Sequence, residues 1–318
     1  MTFSTYAELN QKMIEHFQKG EFQQALELVE REGVNFSSDR PLVDYWKMCA
    51  AARLDDRVRV YEVADRFHQD GLWYGEMMWR LTPSFKALQG DADFEKLVAE
   101  SLRLQAQDSS DNEAGTLKLL PEKVSSESPV LIALHGNQNT AVGTLPFWRA
   151  AVNEGFVLTV PQSAQAMFKG AFIWDDLAAS FEQVKLCYAA LESELKFNPA
   201  GVILAGHSMG GLVAIQMALA GELPIRGLIA NVPALPFDDA PEELEKALIS
   251  AKERGLRACF IMGDKDVDIE QDAIKSFVEK MKSVGIPCEL EIVPGATHDY
   301  HPDYDAALVR ALKFVNND

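Results

Sequence analysis

Residues 201–221 read GVILAGHSMGGLVAIQMALAG, an apolar run that halts at Gly206-His207-Ser208-Met209-Gly210 and gives way at once to a second apolar run. The first run is short and unbroken, with β-branched residues at Val202 and Ile203, the pattern of a strand buried on both faces. Between Gly211 and Ala220, Leu212, Ile215 and Leu219 recur every three or four residues, the spacing of a helix. A strand that becomes a helix with almost no loop forces the turning residue into strained backbone. Such a turn is tolerable only with small residues two before and two after it, and Gly206 and Gly210 stand there. The strain pushes the Ser208 hydroxyl out of the turn and sets the Met209 N–H, at a helix N-terminus, close to that oxygen. The plainer alternative is a glycine-rich turn with a capping serine, and the rest of the chain has to decide between the two.

The chain has 318 residues, 47% of them apolar, enough for a sizeable core and two domains. It carries 30 basic and 48 acidic side chains, a net charge of −18; residues 1–110 contribute 13 basic and 19 acidic (−6), leaving −12 for the remainder. Neither half is a basic module, so binding to a nucleic-acid backbone or an anionic membrane is disfavoured. The opening MTFSTYAELNQKMIEHFQ lacks a continuous apolar segment, and no run in the chain approaches the roughly 18 apolar residues of a membrane span. Neither a signal peptide nor a spanning helix is expected. Cys49, Cys187, Cys259 and Cys288 show no metal or disulfide spacing. They read as buried thiols of a reducing compartment, which makes a cytoplasmic location the expectation.

Two grammars divide the chain. Up to about residue 104 the pattern is helical: Tyr6, Leu9, Met13, Ile14 and Phe17 share a face, and Phe22, Ala25, Leu26 and Val29 continue after Gly20. Pro41 opens a third helix and Val60 to Phe67 a fourth, while Phe94 and Leu97 begin another. Shifting the sequence by 35 aligns Ala25-Leu26 with Val60-Tyr61 and Leu28 with Val63. A spacing of about 34 to 36 resembles tetratricopeptide-type hairpins; an irregular helical domain is the other reading. Residues 105–115 are polar and read as a linker. From 116 to 318, short apolar strands alternate with helical segments, and alternation of that kind gives a mostly parallel sheet covered by helices on both faces. Ligands of such sheets gather at the carboxyl ends of the strands.

A serine nucleophile needs a base within hydrogen-bond reach and a third group to orient the base. Of six histidines, His16 and His68 fall in the helical half, His207 adjoins the serine but points elsewhere, and His135 shapes a loop after a strand. His298 and His301 follow the last strand in Val293-Pro-Gly-Ala-Thr-His298-Asp-Tyr-His301, and His298, in the Gly-containing loop, is favoured. As a metal pair the two histidines lack a third ligand candidate nearby. The strand before them ends in Gly263-Asp264-Lys265-Asp266-Val267-Asp268, which offers three carboxylates.

Strand–GHSMGG–helix, a strand ending in Gly-Asp-Lys-Asp, then Pro-Gly-Ala-Thr-His resembles the α/β-hydrolase superfamily, with its chain order Ser, Asp, His. The resemblance spans residues 116–318. It implies a serine esterase in which Ser208 attacks an ester, His298 carries the proton and Asp266 orients His298, without metal or organic cofactor. Asp264 and Asp268 then read as turn-capping or surface groups. Leu134-His135-Gly136-Asn137-Gln138 resembles the oxyanion loop of the carboxylesterase and phospholipase-like branch. There the residue after His-Gly donates its N–H, which carries over to Asn137 beside Met209, although the family often has Gly where this chain has Gln138. Phe168, Phe172, Trp174 and Phe237 are candidate walls of an acyl pocket. A peptidase, thioesterase or acyltransferase on the same residues, and a vestigial scaffold bearing a helical interaction domain, are the rival readings. The helical half is expected to cover part of the site or to provide a face for homo-oligomers.

Overall fold

The computed structural model describes residues 3–108, 115–236 and 241–316, so Phe237 and most of the stretch read as a linker lie outside the described residues. Two compact units emerge. One comprises residues 1–111 with 166–169, and the other 112–165 with 170–318.

The first unit is built from α1 (Tyr6–Gln18), α2 (Phe22–Glu32), α3 (Arg40–Arg53), α4 (Arg57–Gln69), α5 (Glu76–Arg80) and α6 (Ala92–Gln107). Every second helix begins at an interval of 35, at residues 22, 57 and 92. Each is preceded by a left-handed residue at that same interval, namely Gly20 (φ 72°), Asp55 (φ 58°) and Gly90 (φ 82°). The tight turn between paired helices is thus repeated three times, with Asp56 and Asp91 capping α4 and α6 through their carboxylates. The third pair is irregular. Pro83, which disfavours helix in the residue before it, follows α5 after one turn and leads into 3-10 geometry over Pro83–Leu88. α6 continues to Gln107, three residues into the polar stretch. Leu9, Met13, Ala25, Leu26, Val29 and Val43 form one core of this unit, and Phe67, Tyr74, Trp79, Phe85 and Phe94 form an aromatic one. There the Phe67 and Tyr74 rings stack at 4.4 Å.

The second unit has a seven-stranded sheet of β1 (Thr116–Leu119), β2 (Val130–Leu134), β3 (Val157–Pro161), β6 (Val202–His207), β7 (Ile225–Asn231), β8 (Arg257–Gly263) and β9 (Cys288–Val293), in the order β1-β3-β2-β6-β7-β8-β9. Only the edge strand β1 runs antiparallel. Two short strands, β4 (Gln165–Phe168) and β5 (Ala171–Ile173), follow β3. The central strands are apolar throughout because both faces are covered. In β2, Val130, Ile132 and Leu134 join one core, and Leu131 and Ala133 the other. Helices α9 (Leu177–Glu194), α10 (Met209–Ala220), α11 (Pro241–Glu253) and α12 (Gln271–Ser283) cover the first face. Helices α7 (Ala141–Trp148), α8 (Ala150–Asn153) and α13 (Tyr304–Asn316) cover the second. This is an α/β-hydrolase fold preceded by a helical region of about 100 residues.

Candidate active site

The loops after β2, β6, β8 and β9 all leave the carboxyl edge of the sheet, and each brings one part of the site. At the end of β6, Ser208 has φ 52° and ψ −118°, a sparsely populated backbone state that costs on the order of 1–3 kcal/mol. The surroundings impose it. The Ser208 N–H donates to the Asn231 carbonyl at 3.0 Å, and the Ser208 carbonyl accepts from Leu212 and Ala234, each at 3.1 Å. The flanking glycines are required sterically. A Cβ at Gly206 would lie 2.3 Å from the Gly210 carbonyl carbon, and one at Gly210 would lie 2.3 Å from the His135 oxygen.

The Ser208 hydroxyl sits 2.8 Å from His298 Nε2, and His298 Nδ1 sits 2.8 Å from Asp266 Oδ2. A carboxylate can only accept, so Nδ1 carries the proton and Nε2 is left bare to accept from the hydroxyl. The Asp266 side chain is fully buried while that of His298 is 20% exposed. The other Asp266 oxygen accepts from the Asp268 and Ile269 N–H groups at 2.9 and 3.0 Å, which holds the carboxylate in one orientation. Asp264 serves the turn, with Oδ1 accepting from the Gly295 N–H. Asp268 is exposed. His301 stands edge-on to Tyr304, and its Nε2 is buried with no partner among the described residues. Asp266, Asp268 and His298 also have ligand atoms within 4.8 Å of one another, a metal-like spacing, but Asp266 and His298 are bonded to each other.

The loop after β2 lies against this turn. A Cβ on Gly136 would meet the His207 ring at 2.7 Å. Among the described residues, neither the Asn137 nor the Met209 backbone N–H has an acceptor. The Asn137 side chain braces the loop instead, its oxygen accepting from the Trp174 N–H and its amide donating to Asp175, both at 3.1 Å. Gln138 adopts φ 61°, which explains why glycine suits that position elsewhere. Trp174 is wholly buried, with its indole N–H donating to the His135 carbonyl, and Phe172 is 3% exposed. Phe168 belongs to the helical unit, 8% exposed and edge-on to Tyr74. None of these three rings offers an open wall.

Two histidines act as neutral packing groups. Burial lowers the pKa of His135 to about 4. Its Nδ1 donates to the Gly136 carbonyl and its Nε2 accepts from the Ser163 N–H. Burial, and then the neighbouring His298, lower the pKa of His207 to about 3. The His207 ring stacks on Tyr300 at 4.6 Å and meets the Asn231 side chain at 3.0 Å. Tyr300 in turn stacks on Phe147 at 4.0 Å. The stretch Pro161-Gln-Ser163-Ala-Gln is expected from the sequence to border the mouth of the site, but the particular roles of Ser163, Asn231 and Tyr300 are contacts between distant loops rather than motifs.

Residues 149–313, just over half of the chain, match the dienelactone hydrolase family. No curated protein matches the sequence. Among solved structures, an uncharacterized protein from Bacillus cereus ATCC 10987 is similar over 100% of both chains, with 23% identity and a TM-score of 0.55. TT1662 from Thermus thermophilus is similar over 64% of this chain and 94% of its own, with 18% identity and a TM-score of 0.50. These likenesses show the fold, and the family match shows the kind of enzyme: the chain belongs to the dienelactone hydrolase family and is an α/β-type hydrolase.

Proposed function

We propose that this hydrolase is a serine esterase in which Ser208 is the nucleophile, His298 the general base and acid, and Asp266 the orienting acid. The observation that carries the reading is the pair of 2.8 Å contacts that link the three side chains in order. Ser208 Oγ attacks the ester carbonyl as its proton passes to His298 Nε2; the tetrahedral oxyanion is held by the N–H groups of Met209 and Asn137. Collapse expels the alcohol, which takes the proton from His298, and water repeats the sequence to free the acid. The test is labelling by a fluorophosphonate together with turnover of aryl esters. A Ser208 that resists the reagent in the folded protein, or thioesters and peptides turned over in place of esters, overturns the assignment.

Two further readings accompany it. Cys49, Cys187, Cys259 and Cys288 are all free and buried, in keeping with a reducing, cytoplasmic setting. Val34, Val58 and Leu81 are 73%, 68% and 71% exposed on the helical unit, which favours self-association through it. Sedimentation showing a monomer at micromolar concentration removes that second reading.

A further inference from the structure

Gln138 occupies the one strained position on the loop that faces the serine turn. Its φ of 61° is a conformation glycine takes freely and a longer side chain resists. The backbone there is clamped: the Gln138 N–H donates to the Phe172 carbonyl at 2.8 Å, and the Phe172 N–H returns to the Asn139 carbonyl at 3.3 Å. The residue itself is exposed. Among the described residues its carboxamide makes no hydrogen bond, whereas the neighbouring Asn137 spends both ends of its amide on the Trp174 and Asp175 segment. A strained, solvent-facing amide with no internal partner contributes nothing to the fold that glycine would not supply with less strain. Strain of this kind clusters at active sites and ligand clamps. Gln138 follows Asn137 directly in the loop that lies against the serine turn. Five exposed carboxylates, Asp175, Asp176, Asp264, Asp268 and Asp299, flank the same groups along the chain, against one exposed cation at Lys265.

We propose that Gln138 is a specificity-determining residue whose carboxamide hydrogen-bonds an uncharged polar group next to the scissile carbonyl, so that the enzyme selects polar, neutral esters over plain alkyl esters. The proposal rests on the serine esterase reading. It separates from that reading because a plain ester remains a substrate without Gln138, whereas nothing is a substrate without Ser208. An amide donates to an ether or carbonyl oxygen and accepts from a hydroxyl, while the surrounding carboxylates repel anionic esters.

The test compares 4-nitrophenyl butyrate with 4-nitrophenyl methoxyacetate, which replaces one methylene by an ether oxygen at equal length. Intrinsic reactivity cancels when each variant is referred to the wild type on the same ester. Gln138→Gly should lower kcat/KM for the methoxyacetate about tenfold and leave the butyrate within about twofold, the size of one hydrogen bond lost in a binding site. Its melting temperature should not fall, because the strain is released. Gln138→Asn, which keeps an amide and tolerates left-handed backbone, should lie between the two and guards against misfolding of the glycine variant. Both esters falling together, or neither changing, overturns the proposal. Failure of a fluorophosphonate to label Ser208 in the wild type instead overturns the esterase reading beneath it.

Discussion

Ser208, His298 and Asp266 lie 90 and 32 residues apart in the chain yet within hydrogen-bond distance in space, and their chemistry depends on each being the right atom in the right state. If Ser208 and His298 are nucleophile and base as proposed, Ser208→Ala and His298→Ala should each lower kcat by about 10⁴-fold or more without additivity, as groups acting as a unit do. Asp266→Asn should approach that loss, because an amide cannot hold the imidazole with its proton on Nδ1; Asp264→Asn, whose partner is a turn N–H, should stay within about tenfold. Steady-state kinetics on one ester decide it, and an Asp264 variant as damaged as the Asp266 one would move the acid. His135 and His207 govern stability. Burial lowers their folded pKa values to about 4 and about 3, beneath the roughly 6.5 of an unfolded histidine, so the unfolded chain binds more protons between these values. Their contribution is complete above about pH 6.5 and is lost as the pH falls toward 4, about 3 kcal/mol for His135 alone. Urea unfolding at pH 7, 5.5 and 4.5 should show that fall, and His135→Gln should be less stable at pH 7 but flatter with pH. An unchanged slope in that variant would assign the acid sensitivity to other groups.

Between elements, the site is set by backbones that pass too close for side chains. The loops after β8 and β9 meet at Gly263, where a Cβ would lie 2.2 Å from the Ala296 oxygen. Asp266 and His298 hang from those two loops. Gly263→Ala therefore pushes Asp266 and His298 apart while changing neither side chain nor Ser208. It should lower kcat at least tenfold for a stability cost of about 1–3 kcal/mol, the usual range for overpacking; activity preserved in a folded variant would show that the loops adjust independently. Such contacts explain how far the sequence could be read. The central strands were legible because burial on two faces leaves runs such as VLIAL at 130–134, and β2 begins and ends where that run does. The serine turn was legible because its glycines stand next to it in the chain. What escaped was short or interrupted: α7 contains Pro146, α8 has four residues, and β4 and β5 have four and three. Of the aromatic residues named as pocket walls, the described ones, Phe168, Phe172 and Trp174, are buried. Apolarity marks burial but not what lies on the buried side, and Trp174 proved to be a brace for the His135 loop.

At the scale of the whole chain, the division in sequence and the division in space differ at one place. Residues 166–169 stand among the strands of the hydrolase portion in the sequence, yet they pack as part of the helical unit. The Gly75 N–H donates to the Met167 carbonyl at 2.8 Å, Tyr74 pairs with Phe168 as an isolated β-bridge, and Lys169 meets Asp108 at 3.1 Å. No pattern in residues 1–104 announces this, because the contact is made by backbone and by rings that would read as core in either half. The 35-residue interval of the helix pairs was legible for the opposite reason, being repeated along the chain. It follows that the helical unit is incomplete without a segment from far downstream, and the backbones come close at Gly75: a Cβ there would lie 2.0 Å from the Ala166 oxygen. Gly75→Ala must then either displace residues 166–169 or distort the start of α5. The expected result is a loss of about 2 kcal/mol in urea unfolding and faster tryptic cleavage at Lys169, with Ser208 still labelled by a small fluorophosphonate because none of its partners is touched. Gly71→Ala, also in the helical unit but at φ 73° with open space around it, is the control for left-handed strain alone. It should cost roughly 1–2 kcal/mol and leave cleavage at Lys169 unchanged. If both variants expose Lys169 equally, the segment is held by the general stability of the helices, and Gly75 has no part in seating it.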